Sequence, residues 1–283
     1  MGEPLSGRIS ADSGVSFISC VSGNDGDDKF MIMNTAGYGF ISEFKNMTSN
    51  KKTGRAFMKL TDNARLEINK ILNGETLVNA STYADDIKSD TRYDKYYNWH
   101  FLNMELDDDY QDITPSENGD VYVAINQCID ILESRSASNL EKSFYLKLLV
   151  HFVGDLHQPL HIGRYEDRGA NRVYVKWFGR NSNLHRVWDS EMINSHNMSY
   201  SELAVNLPDP NFQIFTKEAD KFERNDVLEW IDEIHEYTKK IYNDVSIDDR
   251  LGYEYQYENF GTVKDLLLVG GIRLSKILNY LFD

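Results

Sequence analysis

The chain has 283 residues, 41% of them hydrophobic and 12% aromatic, which is enough apolar material for one large core and too much for disorder to be the main state. Its 45 Asp and Glu against 30 Lys and Arg give a formal net charge of -15, which argues against a protein that grips duplex DNA by its phosphates and for a solvated acidic enzyme. No run reaches the roughly 18 to 20 apolar residues of a membrane helix, and no basic start followed by an apolar run marks a signal peptide, so the chain reads as soluble. Cys20 and Cys128 are too few for a disulfide framework and too far apart for a cysteine-based zinc site, which leaves His and carboxylates to hold any metal.

Residues 1 to 50 hold seven of the eighteen glycines and show no helical period longer than a turn, which predicts an irregular segment there and a helical domain over 51–283. From Thr61, a side-chain N-cap, Ala64, Ile68, Ile71 and Leu72 recur at helical spacing until Gly74. A helix over 120–133 buries Val121, Ala124, Ile125, Cys128 and Leu132, with Asn118 as its cap. Residues 139–156 are apolar on most sides, so that helix runs through the core and ends at Pro159. Arg172 to Phe178 alternates like a strand and forms one arm of a hairpin. Three further helices are predicted over 184–193, 226–242 and 263–281, with Gly270 and Gly271 allowing close helix contact in the last. The expected fold is mainly α, a single multi-helix domain with a minor β-hairpin.

Five of the seven histidines fall between positions 151 and 196. His151 and Asp155 stand at i and i+4 on the central helix, so they emerge one turn apart on one face, and His185 and Asp189 repeat the spacing. One such pair is ordinarily a helix-surface pair. Two of them, one on a helix apolar enough to be buried, favour a shared metal, because a buried carboxylate and imidazole without a partner are costly and zinc accepts both donors. His161, just past the Pro159 turn, can fold back over the helix end. His157 points elsewhere and reads as an outer-sphere or core histidine, and His196 and His235 read as surface residues.

The run His151-Phe-Val-Gly-Asp155-Leu-His157-Gln-Pro-Leu-His161-Ile-Gly163, then Gly169-Ala-Asn171, then Asn183-Leu-His185-Arg-Val-Trp-Asp189 resembles the signature of the S1/P1 nuclease family. Upstream, Ala80-Ser-Thr-Tyr-Ala-Asp85 resembles the family's first ligand segment, with Tyr83 where Trp is common, and Trp99-His100-Phe101 its second. The resemblance covers about residues 50 to 283. It implies a helical fold of the phospholipase C/P1 nuclease type and a zinc-dependent, exported endonuclease that cuts single-stranded DNA and RNA to 5′-phosphate products and removes 3′-phosphates from nucleotides, with no membrane or obligate protein partner. It further implies that Asp85, His100, His151 and Asp155 hold one zinc, with Asp155 bridging to a close neighbour, and that His161, His185 and Asp189 hold a second. By the same resemblance Asp85 and Asp155 are catalytic, flanking the attacking water, while the second ligand set faces the leaving 3′-oxygen. Phe101 resembles the aromatic on which a base stacks, and Asn103 stands where fungal members have an Asp that helps bind the base.

The departure is at the start, where the family's mature chain begins Trp-Gly-x-x-Gly-His and its terminal Trp and that His hold a third zinc. Here Lys52-Thr53-Gly54-Arg55 resembles a remnant, with Asn50 at the Trp position and Arg55 at the His. The expectation is therefore two zincs, reduced activity, and a segment 1–50 that replaces a leader and first helix through a misassigned gene start, frameshift or splicing. The competing functions are a zinc-dependent phospholipase C, separable by activity on phosphatidylcholine, and a catalytically impaired zinc-binding homologue.

Overall fold

The computed structural model describes residues 29–33, 39–43, 61–113, 116–207 and 221–283, and the chain divides into two compact units, Met1–Lys59 with Ser199–Asn206, and Leu60–Met198 with Leu207–Asp283. In the first unit, β1 (Lys29–Met33) and β2 (Gly39–Glu43) pair antiparallel, Lys29 opposite Glu43 and Met33 opposite Gly39. A regular hairpin thus stands in a stretch that reads as irregular in sequence, since five-residue strands are too short to set up a conspicuous period. Asn50 and Lys52 to Arg55, on which the expectation of a lost third metal rests, lie outside the described residues.

In the second unit, α1 (Asp62–Ile71) starts as predicted, with Thr61 Oγ1 accepting the Ala64 amide at 3.2 Å. α2 (Leu77–Asp86) is capped by Thr76 and buries only Ala80 and Ala84. So narrow an apolar stripe left no period to read, and no helix is predicted there. A 3₁₀ helix, Thr91–His100, leads into β3 (Leu102–Asn103). α3 (Val121–Glu133) buries its predicted face, but its cap is Asp120, whose Oδ1 accepts the Val123 amide at 3.0 Å; Asn118 instead offers its carbonyl to Trp99 Nε1 at 2.9 Å.

α4 (Asn139–Leu156) is the centre of the unit. Ser138 and Glu141 form a reciprocal capping box at its start, and it buries Leu146, Leu148, Leu149, Val150, Phe152, Val153 and Leu156 against α1, α2 and α3. Each such side chain contributes roughly 1.5–3 kcal/mol of burial, so the C-terminal half of the helix, which carries His151 and Asp155, is firmly anchored. It ends at His157, and Pro159–His161 turns as a 3₁₀ helix into β4 (Ile162–Gly163), which pairs parallel with β3.

β5 (Tyr174–Trp177) and β6 (Arg180–Asn183) form the expected hairpin; Phe178 and Gly179 both adopt positive φ, 46° and 79°, as a two-residue turn of the mirror type requires. The helix expected over 184–193 is interrupted: α5 (Leu184–Arg186) passes through a π turn, Val187–Glu191, into α6 (Met192–Ser195). α7 (Tyr200–Val205), which belongs to the first unit, has its own capping box from Ser199 and Glu202. α8 (Asp226–Asp244) leads to β7 (Arg250–Leu251), which adds parallel to β5.

α9 (Tyr253–Phe282) packs on α4 and begins ten residues before the predicted Val263, because its first turns carry exposed aromatics such as Tyr253 and Tyr257 rather than an apolar stripe. Gly270 is the close contact foreseen, since a Cβ there would stand 3.1 Å from the His157 ring, whereas a Cβ at Gly271 would meet open space. Among the described residues no helix is long and apolar enough to cross a membrane. The architecture is mainly α with three small sheets among the described residues.

Candidate active site

Each histidine of the predicted constellation sits at a place its local sequence makes rigid. Asp85 is in the last turn of α2, His100 at the end of its 3₁₀ helix, His151 and Asp155 one turn apart on α4, and His161 at the end of the Pro159 turn. His185 lies in α5, and Asp189 in the π turn. Six of the seven side chains form two sets, Asp85 with His100 and His151, and His161 with His185 and Asp189. Asp155 lies between them. Its Oδ2 is 2.8 Å from His100 Nδ1 and 3.1 Å from His151 Nε2, and its Oδ1 is 3.5 Å from His161 Nδ1.

The donor geometry fits a small cation. Asp85 Oδ1 is 3.9 Å from His100 Nδ1 and 3.7 Å from His151 Nε2, while those two nitrogens are 3.1 Å apart. A tetrahedral ion with bonds near 2.0–2.1 Å needs ligand atoms about 3.3 Å apart, so these three groups already stand close to the required edges. In the second set, His161 Nε2 is 3.4 Å from Asp189 Oδ1, and the His161 and His185 rings stack at 5.1 Å. Backbone carbonyls orient three of the rings: His151 Nδ1 donates to Ser81 at 2.6 Å, His161 Nδ1 to His100 at 2.8 Å, and His185 Nδ1 to Gly169 at 2.7 Å. That leaves each Nε2 directed into the site, the usual arrangement behind a metal-binding imidazole.

The electrostatics follow from burial and proximity. Burial opposes the charge on Asp155, but the positive charge on His161 and hydrogen bonds from His100 and His151 hold it well below the usual carboxylate range. Burial likewise opposes protonation of His161, yet Asp155 and Asp189 push it up to about 9. His185 is driven down to about 4 by burial and by the neighbouring His161 charge. His100 is lowered chiefly by burial, while at His151 burial is outweighed by the hydrogen bond and charge of Asp155 together with the Ser81 carbonyl and Asp85, which raise it. Asp189 is lowered, burial being overcome by His161.

A cleft of about 710 Å³ opens over both sets. Phe101 and Asn103 line it, Phe101 half-buried with Tyr97 edge-on at 6.1 Å, and Asn103 held in register with Gly163 by the β3–β4 pair. His157 is not part of it: Nδ1 donates to the Val153 carbonyl at 2.7 Å, and the far side of the ring meets buried Arg273 at 3.1 Å, so it is a core histidine. His196 is exposed as expected, but His235 is only 2% exposed and corrects the surface assignment, because it lies on the apolar stripe of α8.

Several contributors escaped sequence reasoning. Lys88 pairs with Asp85 at 2.6 Å, three residues on, a spacing shared with countless surface pairs. Buried Asp167 ties the loop that supplies the Gly169 carbonyl, accepting the Ala170 amide and the Tyr242 hydroxyl, each at 2.7 Å, and the Arg164 guanidinium. Gly169 has φ +59°, and a Cβ there would stand 2.3 Å from the Leu160 carbonyl oxygen, so no other residue fits. Carbonyl acceptors have no sequence signature; the glycine was visible.

Comparison with known proteins gives the family. The sequence model of the S1/P1 Nuclease family matches residues 56–283. Endonuclease 2 of Arabidopsis thaliana is 31% identical over 170 residues, 53% of this chain and 54% of that protein. Nuclease S1 of Aspergillus oryzae is 31% identical over 122 residues, 41% of this chain and 42% of its own, and Nuclease P1 of Penicillium citrinum is 29% identical over 136 residues, 44% and 50%. The chain spans about half the length of these curated relatives. With the family model covering residues 56–283, most of the sequence, the chain belongs to the S1/P1 nuclease family.

Proposed function

We propose that this protein is a zinc-dependent endonuclease that hydrolyses the phosphodiester bonds of single-stranded DNA and RNA to 5′-phosphate products and also acts as a 3′-nucleotidase. The observation that carries the reading is one carboxylate, Asp155, set between two His/Asp donor sets at the floor of a cleft with an aromatic wall. Asp85, His100, His151 and Asp155 would hold one zinc, and His161, His185 and Asp189 the other. Bound zinc supplies Lewis acidity, bringing a water's pKa toward 7 and offsetting charge on phosphoryl oxygens.

The chain's own groups do the rest. Asp85, whose side chain is 55% exposed at the cleft, orients the attacking water, with Lys88 fixing its carboxylate. Asp155 stays ionised and keeps the two sets at a fixed separation. Phe101 takes one base by stacking, which a paired duplex base cannot offer, and Asn103 reads that base's edge. Single-strand preference and sequence tolerance both follow, since every base has a π-face. The test is digestion of circular single-stranded DNA, which lacks ends. Nicking that EDTA stops and zinc restores supports the reading; a metal-loaded, folded protein that leaves the circle intact, or that turns over phosphatidylcholine instead, overturns it.

A further inference from the structure

The wall of the cleft beside His185 is the loop 164–172, and it carries an arginine with no use in the scheme above. Arg168 lines the cleft, is exposed, and its guanidinium has no hydrogen-bond or ion-pair partner among the described residues. Its backbone sits at φ +57°, in the left-handed region that a β-carbon disfavours. The loop enforces this: the Arg168 amide donates to the Tyr165 carbonyl at 3.2 Å, Asn171 Nδ2 to the Arg168 carbonyl at 2.9 Å, and Gly169 next door cannot move against Leu160. Unfavourable backbone conformations persist where the surroundings over-determine them, and they concentrate at ligand sites.

The neighbouring charges do not cancel this cation. Glu166 pairs with Arg164 at 3.3 Å, Asp167 is taken up by Arg164 and Tyr242, and Arg172 donates to the Glu166 carbonyl at 2.9 Å. Tyr165, three residues before Arg168 and also on the cleft, is 75% exposed. An unpaired guanidinium and a bare aromatic ring on one rigid loop are the two groups a nucleotide unit needs, a planar donor fork for phosphate and a stacking face for a base.

We propose that loop 164–172 is a second nucleotide subsite, in which Arg168 takes the phosphate adjoining the scissile one and Tyr165 stacks on the base of that unit, so that the preferred substrate has at least two phosphodiesters. This rests on the nuclease reading. Arg168→Gly is the informative variant, because glycine adopts the positive φ without strain and the loop keeps its fold. The substrates are the thymidine trinucleotide TpTpT and its two isomers in which one phosphate is a neutral methylphosphonate, leaving a single cleavable bond. Wild-type protein is expected to cleave TpTpT about tenfold faster, in kcat/KM, than either isomer, the size of one charge-assisted phosphate contact.

Arg168→Gly removes that preference and Arg168→Lys restores part of it. The salt dependence of log kcat/KM on TpTpT becomes shallower by about 0.7 in Arg168→Gly, the value for one phosphate contact on a single strand. Tyr165→Leu lowers kcat/KM on TpTpT while Tyr165→Phe does not. An undiminished preference in Arg168→Gly, with wild-type cleavage intact, overturns the subsite alone. A wild-type protein that cleaves none of the three overturns the nuclease reading and the subsite with it.

Discussion

Asp155 is the residue on which the site turns, because its two oxygens face different donor sets. Asp155→Asn keeps the shape and removes the charge, and it is expected to lower zinc content and to cut activity by more than about 100-fold, the upper end for losing even an outer-sphere partner. Retention of both metals at normal rate would show that Asp155 bridges nothing. Asp167→Ala tests the layer behind: it frees the Gly169 loop and so misdirects His185, which predicts a loss of about 10- to 100-fold in metal affinity. A third prediction concerns protons. His161, raised to about 9, carries a proton at pH 7 in the metal-free protein, and a metal can use its Nε2 only after that proton leaves. Zinc binding at pH 7 should therefore release protons, seen as a binding enthalpy that changes with the ionisation enthalpy of the buffer, and affinity should rise between pH 7 and 9. A buffer-independent enthalpy would contradict this. At this scale the His/Asp pairs one turn apart were legible, because metal ligands on helices impose a spacing. Lys88, Asp167 and the three orienting carbonyls were not, because their partners are fixed only by the folded loop.

Among the elements, α3, α4 and α8 could be read from their apolar stripes, and α4 carried the most information since it is buried on nearly every side. α2 and the first turns of α9 could not, because small or exposed aromatic residues cover faces that bury little. The π turn at Val187–Glu191 was invisible for a different reason: i, i+4 spacing is the same on paper whether or not one residue is inserted into the helical ladder. The adjacent glycines of α9 give a test of packing at this scale. Gly270→Ala pushes a methyl against the His157 ring, which is tied to Val153 and Arg273 and cannot give way, so it should destabilise by about 1–3 kcal/mol. Gly271→Ala meets open space in a helix interior and should stabilise by about 0.5–1 kcal/mol. Thermal or urea melts that moved both variants the same way would contradict this packing.

For the whole molecule, the formal charge of -15 would cease to stand against a nucleic-acid substrate once the proposed metals charged the site. Asp85, Asp155 and Asp189 contribute three of those negative charges, and two divalent ions would bring four positive ones to the same small volume, making the cleft locally cationic on an acidic surface. On the proposed function, the scissile phosphodiester would be captured by metal and its base by stacking, with binding confined to the cleft and weak elsewhere. The most direct measurement of the central claim is anomalous diffraction at the zinc edge from zinc-loaded crystals. The account predicts strong peaks on both sides of the Asp155 carboxylate, one within about 2.0–2.2 Å of donor atoms of Asp85, His100 and His151 and one equally close to His161, His185 and Asp189. A peak missing from either set in a fully loaded crystal, or zinc bound only at other residues, would contradict it.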